Sequence, residues 1–271
     1  MLKKLIELLI IAMILNSNFI SAEPKAIKSV PINPSILTSQ VKLLSGSRKT
    51  VGLEWTPPIS FDVMHGDFFF LRKEGVIVKL NSKGKFKGLI ITHTAAPIDM
   101  VVFSKFIILL TQNGVKSIDF KGNLIDSVSF PDNTEDTILF KFFTYNSNLM
   151  VGDTTSEQLF TVKVSKLGKL NLIPFQSKLI KPIIPHKKNE YVLVDPILSK
   201  NFNKTYFFIV KSNTEIPSLS AVVEANGRKI LTKTEVPSYP GYDCARWIVV
   251  DKTGVVWTLT NHLGELKLEG F

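Results

Sequence analysis

From about residue 50 onward the chain alternates short apolar runs with polar turns. The clearest runs are Asp67–Leu71, Val76–Leu80, Phe106–Thr111, Leu139–Thr144, Tyr191–Val194, Tyr206–Val210 and Val255–Thr260, and they are rich in Phe, Ile and Val. Such side chains suit a pleated, half-buried surface, and runs of this length between turn residues read as β-strands. No stretch keeps a helical apolar period over three turns. The pattern predicts a mature chain that is nearly all β.

A repeat runs through the turns. Asn81–Lys85, Asp119–Asn123, Ser165–Lys169 and Glu224–Arg228 each place a glycine in a polar five-residue connection between strands. Glycine tolerates the positive φ that a tight hairpin needs. These glycines recur at spacings of 38, 46 and 59 residues. A four-stranded propeller blade takes about 40–45 residues, so the first two spacings fit directly. The third fits if Asp195–Lys204 supplies a long connection. The expected fold is therefore a β-propeller of four-stranded antiparallel blades, with a two-sheet β-sandwich as the alternative. The blades fall at about 59–92, 98–130, 137–175, 190–235 and 247–271, with room for a sixth in residues 175–190. The last blade lacks a fourth strand. Lys49–Trp55 is the segment expected to fill that outer position and close the ring by an N-terminal strand.

One hairpin carries a family likeness. Trp247-Ile248-Val249-Val250-Asp251-Lys252-Thr253-Gly254-Val255-Val256-Trp257-Thr258-Leu259-Thr260-Asn261 resembles the inner hairpin of six-bladed propellers of the NHL and TolB-like kind. There an inner strand ends in Asp, Gly completes the turn, and an apolar-aromatic strand follows. Asp accepts local backbone N–H bonds at such a turn, and Gly takes the unusual φ. Phe103-Ser104-Lys105 and His65-Gly66-Asp67 depart from this pattern in earlier blades. The resemblance implies a fold. Propellers of this kind serve as interaction platforms and, in some cases, as hydrolases, so it does not choose an activity.

The N-terminus adds a location. Lys3 and Lys4 precede the apolar run Leu8–Leu15, Asn16-Ser17-Asn18 breaks it, and Ser21-Ala22 offers small residues before Glu23-Pro24. This order predicts a cleavable signal peptide over 1–22. The run is shorter than the roughly 20 residues a spanning helix needs, so a secreted or periplasmic protein is expected rather than an integral membrane protein. Residues 23–48, with Pro24, Pro31 and Pro34, read as an extended arm, and 49–271 as a single propeller domain. Cys244 is the one cysteine, which excludes an internal disulfide. Packing and strand pairing must hold the fold.

Charge changes the picture in one respect. The 271 residues carry a formal +10, or +9 without Lys3, Lys4 and Glu7. Only Arg48, Arg72, Arg228 and Arg246 are arginines, whereas phosphate readers lean on Arg forks. Nucleic acid is therefore not an expected partner. On propeller geometry, connections within strand pairs one–two and three–four share a face. That face collects Lys83, Lys85, Lys105, Lys121, Lys166, Lys169, Lys200, Lys204, Arg228, Lys229 and Lys252. It predicts contact with an anionic surface through Lys-rich turns. A genome that favours Lys codons would give the same composition. The opposite face collects Asp132, Glu135, Asp136, Asp153, Glu157 and Asp243, joined by His93.

The longest inter-blade loop, Val236–Arg246, concentrates residue types that anchor binding sites. Tyr239, Tyr242, Asp243, Arg246 and Trp247, with Asn261 and His262, are the candidate binding residues. The expected partner is an envelope protein or a glycan. No His-Glu-x-x-His, Cys-x-x-Cys, Gly-x-Ser-x-Gly or Gly-rich phosphate loop occurs, so no catalytic residue, metal ligand or cofactor is assigned. Asp62 and Asp99, near the starts of inner strands, are the carboxylates that a metal-dependent propeller hydrolase would need. The sequence offers no convincing set of partners for them, and Asp99 is equally suited to satisfying backbone groups at a strand entry. The sequence thus points to an exported non-catalytic binding or scaffolding propeller, with a hydrolase acting on a small ester, lactone or glycan as the alternative.

Overall fold

Apolar alternation along the chain resolves into twenty-one strands among the described residues of the computed structural model. The structure describes residues 26–32, 58–131, 134, 140–153, 158–176, 190–191, 196–211, 218–226, 229–240, 247–262 and 265–271. The signal-peptide span, most of the arm and Lys49–Trp55 lie outside the described residues.

After β1 (Lys28–Ile32) come three four-stranded meanders. The first is β2 (Ser60–Met64), β3 (Asp67–Leu71), β4 (Val76–Leu80) and β5 (Phe86–Ile91). The second is β6 (Asp99–Val102), β7 (Ile107–Thr111), β8 (Gly114–Ile118) and β9 (Leu124–Ser129). The third is β10 (Lys141–Tyr145), β11 (Asn148–Gly152), β12 (Gln158–Val164) and β13 (Leu170–Gln176). The fourth blade starts with β14 (Glu190–Tyr191), and the bridge Pro196↔Phe207 extends that edge toward β15 (Leu198–Ser199). It continues with β16 (Thr205–Lys211), β17 (Ser218–Asn226) and β18 (Lys229–Pro240). The fifth holds β19 (Ile248–Val250), β20 (Val256–His262) and β21 (Glu265–Gly270). The fold is a five-bladed β-propeller of four-stranded antiparallel blades. The blade count is one fewer than in the six-bladed class that the Trp247–Asn261 hairpin resembles.

Ring closure uses a different strand from the one expected. β1 pairs antiparallel with β21, from Lys28↔Gly270 to Ile32↔Leu266, and so takes the outer position of the last blade. The closing strand therefore lies inside the span read as an extended arm. Its prolines hid it: Pro31 lacks an N–H, which an outermost strand tolerates because one edge has no ladder to feed. The burial alternates instead, with Val30 and Ile32 inside and Pro31 outside.

Three of the four predicted glycine turns form as expected; of the fourth, Glu224–Arg228, the first three residues end strand β17 and Gly227-Arg228 lie outside the described residues. Asn81, Asp119, Ser165 and Asp251 each accept two backbone N–H bonds with one side-chain oxygen, from the residues two and four places on. Gly122 shows why glycine completes the motif. Its φ is +89°, and a Cβ there would lie 2.0 Å from the Ile91 carbonyl oxygen of the preceding blade. The turn both reverses the chain and lets two blades approach.

The core sits at the centre of the ring and in the seams between blades. Val30, Phe61, Ile108, Phe142 and Val249 join blades one, two, three and five in one cluster, and Leu198 adds β15, which pairs with β19. Leu71, Ile77, Met100 and Leu109 fill the seam between blades one and two. Tyr206, Val222, Ile248 and Val256 fill that between four and five. At the closing seam Phe68 meets Trp257 edge-on at 5.0 Å between ring centroids.

Candidate functional site

The inner strands are drawn together tightly enough to bond to one another across the channel. Asp62, in β2, accepts the Val63 N–H through Oδ1 at 2.7 Å and the Val102 N–H of blade two through Oδ2 at 2.6 Å. Asp99, in β6, repeats the device one blade on: Oδ1 accepts the Met100 N–H at 2.8 Å, and Oδ2 accepts the Phe142 N–H of blade three at 2.7 Å. Ser60 donates its hydroxyl to Asp99 Oδ1 at 2.5 Å. In blade three, Thr144 Oγ1 accepts the Ser199 N–H at 2.5 Å. The backbone completes the circuit, as β15 pairs parallel with β19 and Lys200 donates its N–H to the Val250 carbonyl at 2.7 Å. From β2 to β19 each inner strand is thus tied to the next, and the Trp247 indole N–H, bonded to the Pro58 carbonyl, joins the start of blade five to that of blade one.

Lys200 closes the middle. Its Nζ donates to Asp62 Oδ2 and, at 2.8 Å, to the Val102 carbonyl oxygen. It also lies 5.8 Å from the centroid of the Phe103 ring. Burial pushes the Asp62 carboxyl above its ordinary value and the Lys200 ammonium below, because each charge loses water; their mutual attraction opposes both shifts. Lys200, expected on the basic turn face, is instead only 6% exposed, and its charge is spent inside the ring. Lys204, from the same list, is also compensated, by Glu224 at 2.8 Å. Glu224 further accepts the Tyr206 hydroxyl at 3.3 Å, and burial together with that carboxylate pushes the Tyr206 phenol up to about 12. Lys83, Lys85, Lys105, Lys121, Lys166, Lys169 and Lys252 remain exposed on the turn face.

The candidate binding residues are only partly described. Trp247 donates its indole N–H to the Pro58 carbonyl at 3.0 Å and packs against the central core, so it joins blade five to the start of blade one. Tyr239 stands in the outer strand β18 opposite Leu219. Asn261 and His262 end β20, opposite Leu266 and Glu265. Tyr242, Asp243 and Arg246 lie outside the described residues, as do Asp132, Glu135, Asp136 and Glu157. The first half of the expected Val236–Arg246 loop is strand, because β17 is nine residues long and β18 follows it to Pro240. Two register shifts in this pairing absorb the extra length.

The residues that sequence reasoning missed are Lys200 and Thr144. Asp62 and Asp99 did leave a signal. Each stands between apolar neighbours in an inner strand, Phe61-Asp62-Val63 and Ile98-Asp99-Met100. A carboxylate in such a setting requires internal donors. Among the described residues no group of three or more His, Cys, Asp or Glu gathers as a metal site.

No family model matches the chain, and no curated protein does. Solved structures are similar in fold. Myxococcus xanthus glutaminyl cyclase aligns with 10% identity and a TM-score of 0.45, over 91% of this chain and 97% of that one. A catalytically inactive virginiamycin B lyase from Staphylococcus aureus, bound to quinupristin, aligns with 14% identity and a TM-score of 0.38, over 86% and 67%. The N-terminal domain of Nup159 aligns with 13% identity and a TM-score of 0.36, over 79% and 65%. The likeness is one of fold, and no residue role is carried over from these proteins.

Proposed function

We propose that the protein is an exported, non-catalytic binding propeller of the cell envelope or periplasm that recognises a protein or glycan partner through its inter-blade loops. The observation that supports this reading is the use of the channel carboxylates. Asp62 and Asp99 spend their oxygens on backbone N–H groups of the next blade, on Ser60 and on Lys200. A general acid or base must reach a substrate proton, and these oxygens face strand backbone instead. The channel then serves as the rigid hub of a platform whose recognition chemistry lies on its loops. Tyr239, Tyr242, Asp243, Arg246, Trp247, Asn261 and His262 form the proposed recognition set, and the signal-like residues 1–22 supply the route of export. The NHL and TolB-like resemblance of the Trp247–Asn261 hairpin fits a platform role.

The test is a crosslinking pull-down from envelope extract, comparing the unmodified protein with Tyr242→Ala/Arg246→Ala. A defined partner held by the first and lost by the second supports the reading. Turnover in an ester, lactone and glycan screen that disappears in Asp99→Asn, with the fold retained, would replace it with the hydrolase.

A further inference from the structure

The seam where the ring closes holds a cleft of about 630 Å³ on the turn face. Three elements far apart in sequence build it: the closing strand β1, the β2–β3 hairpin and the Asp251–Val255 turn. Its volume lies within the range of about 300–1,000 Å³ typical of small-molecule sites. Phe68 and Trp257 form its floor, with Val30 and Val63 beside them.

The rim is cationic. Lys28 and Lys252 line the cleft, both are exposed, and among the described residues neither has a carboxylate within ion-pair distance. Lys28 lies 6.0 Å from the centroid of the Trp257 ring, which holds the ammonium over the apolar floor. The one lining carboxylate, Asp251, is already engaged. Its Oδ1 accepts from Thr253 N, Thr253 Oγ1 and Val255 N, and its Oδ2 accepts the Trp257 indole N–H at 2.9 Å. Lys200 also lines the cleft, but its ammonium is already engaged by Asp62 and the Val102 carbonyl. The exposed Lys28 and Lys252 are therefore the lining lysines that face an incoming anion.

A further feature marks the rim. His65, at the tip of the β2–β3 hairpin, lines the cleft and holds φ at +53°. Histidine, like Asn and Asp, enters that region more readily than most residues, and the conformation turns the hairpin tip toward the cleft. Ser82, from the turn packed beside this hairpin tip, adds a hydroxyl-bearing side chain to the lining.

We propose that this cleft binds a phosphate monoester carrying an apolar stem, its charged head between Lys28 and Lys252 and its stem on Trp257 and Phe68. The site is built from residues separate from the proposed recognition set, and it stands whether or not that set binds a partner. The phosphate belongs either to a free ester or to a lipid headgroup.

Isothermal titration of the full mature chain with hexyl phosphate tests the site. Inorganic phosphate and hexanol serve as comparison ligands, and vesicles of phosphatidic acid in phosphatidylcholine, whose headgroup is itself a phosphate monoester, provide the surface arm. Hexyl phosphate is expected to bind about tenfold or more tightly than either comparison ligand. Lys28→Ala/Lys252→Ala is expected to weaken it by about tenfold or more. Lys83→Ala/Lys166→Ala, which removes as much charge from turns on the same face, is expected to leave it unchanged. Vesicle binding that follows the same variants, and that hexyl phosphate displaces, assigns the headgroup as the source; hexyl phosphate binding without vesicle binding assigns the free ester. The proposal is overturned if the unmodified protein does not bind hexyl phosphate, or if both double variants bind it equally. Equal affinity for inorganic phosphate overturns the role of the aromatic floor.

Discussion

Lys200 donates its ammonium to the carboxylate of Asp62, 138 residues earlier in the chain, and this pair links the end of the fourth inner strand to the first. Because Lys200 also bonds the Val102 carbonyl and the Val250 carbonyl, one residue touches blades one, two and five. Removing one partner of a buried pair leaves an uncompensated charge, which costs about 3–5 kcal/mol. Lys200→Met is therefore expected to lower unfolding free energy by about that amount. Asp62→Asn/Lys200→Met removes both charges while keeping an acceptor for the Val102 N–H, and is expected to be more stable than Lys200→Met. Urea melts decide it, and a double variant as unstable as the sum of the two single changes contradicts the pairing.

Ring closure depends on the pairing of β1 with β21. Val30 is buried in the central core opposite Leu268. Val30→Asp places a carboxylate there without a donor, and burying an unpaired polar group costs about 2 kcal/mol or more. The variant is expected to lose at least that much stability, and the backbone amides of β1 and β21 are expected to exchange faster with solvent than those of β7 and β8. Uniform exchange across all five blades would show that closure is not rate-limiting for opening.

Gly122 tests the turn motif. A positive φ alone costs a residue with a side chain about 1–3 kcal/mol, and the Ile91 carbonyl stands where its Cβ would go. Gly122→Ala is expected to destabilise by more than that range's lower end. Gly66→Ala shares the positive φ, but the nearest atom to its Cβ is Ser82 Cβ at 3.8 Å, and is expected to cost less. Equal losses would assign the whole effect to φ.

Acid is expected to loosen the turns and seams in a defined order. Asp67 lies below its ordinary value of 3.8 despite some desolvation, because Lys87 and Lys79 bond it. Asp119 is lowered by the Asn123 side chain and backbone, and Asp126 by the Leu170 N–H across a blade seam. Their folded values lie below the unfolded ones, so the stability they contribute is complete above about pH 4. It is lost as pH falls through the folded values. Asp62 runs in the opposite sense, since burial raises it and its protonation sets in at higher pH. Carbon-detected NMR titration of the aspartates reads both directions; Asp126 titrating above 3.8 would remove the seam contribution.

Local chemistry made much of the fold legible in advance. The runs Asp67–Leu71 and Val76–Leu80 are strands with those bounds, because apolar alternation and flanking turn residues act within a few positions. The Asp-x-x-Gly turn before Trp257 reads the same way, since Asp251 bonds groups two and four residues on. β1 was not legible. Its partner is some 240 positions away, as in Lys28↔Gly270, and its local cue was obscured by proline. The candidate site divides likewise. Sequence alone placed Asp62 and Asp99 near the starts of inner strands, and left open for Asp99 whether it serves a metal or the backbone; the backbone role of Asp62 came from the structure.

What the sequence determined by itself is therefore the all-β class, the blade-length repeat and the turn chemistry, all carried by interactions between near neighbours. Tertiary structure decided the ring size, the closing strand, the burial of Lys200 and the cleft between Lys28, Lys252 and Trp257. Those features depend on how tightly five inner strands converge, and a charged residue that follows a strand end looks the same in one dimension whether it points to water or into the ring.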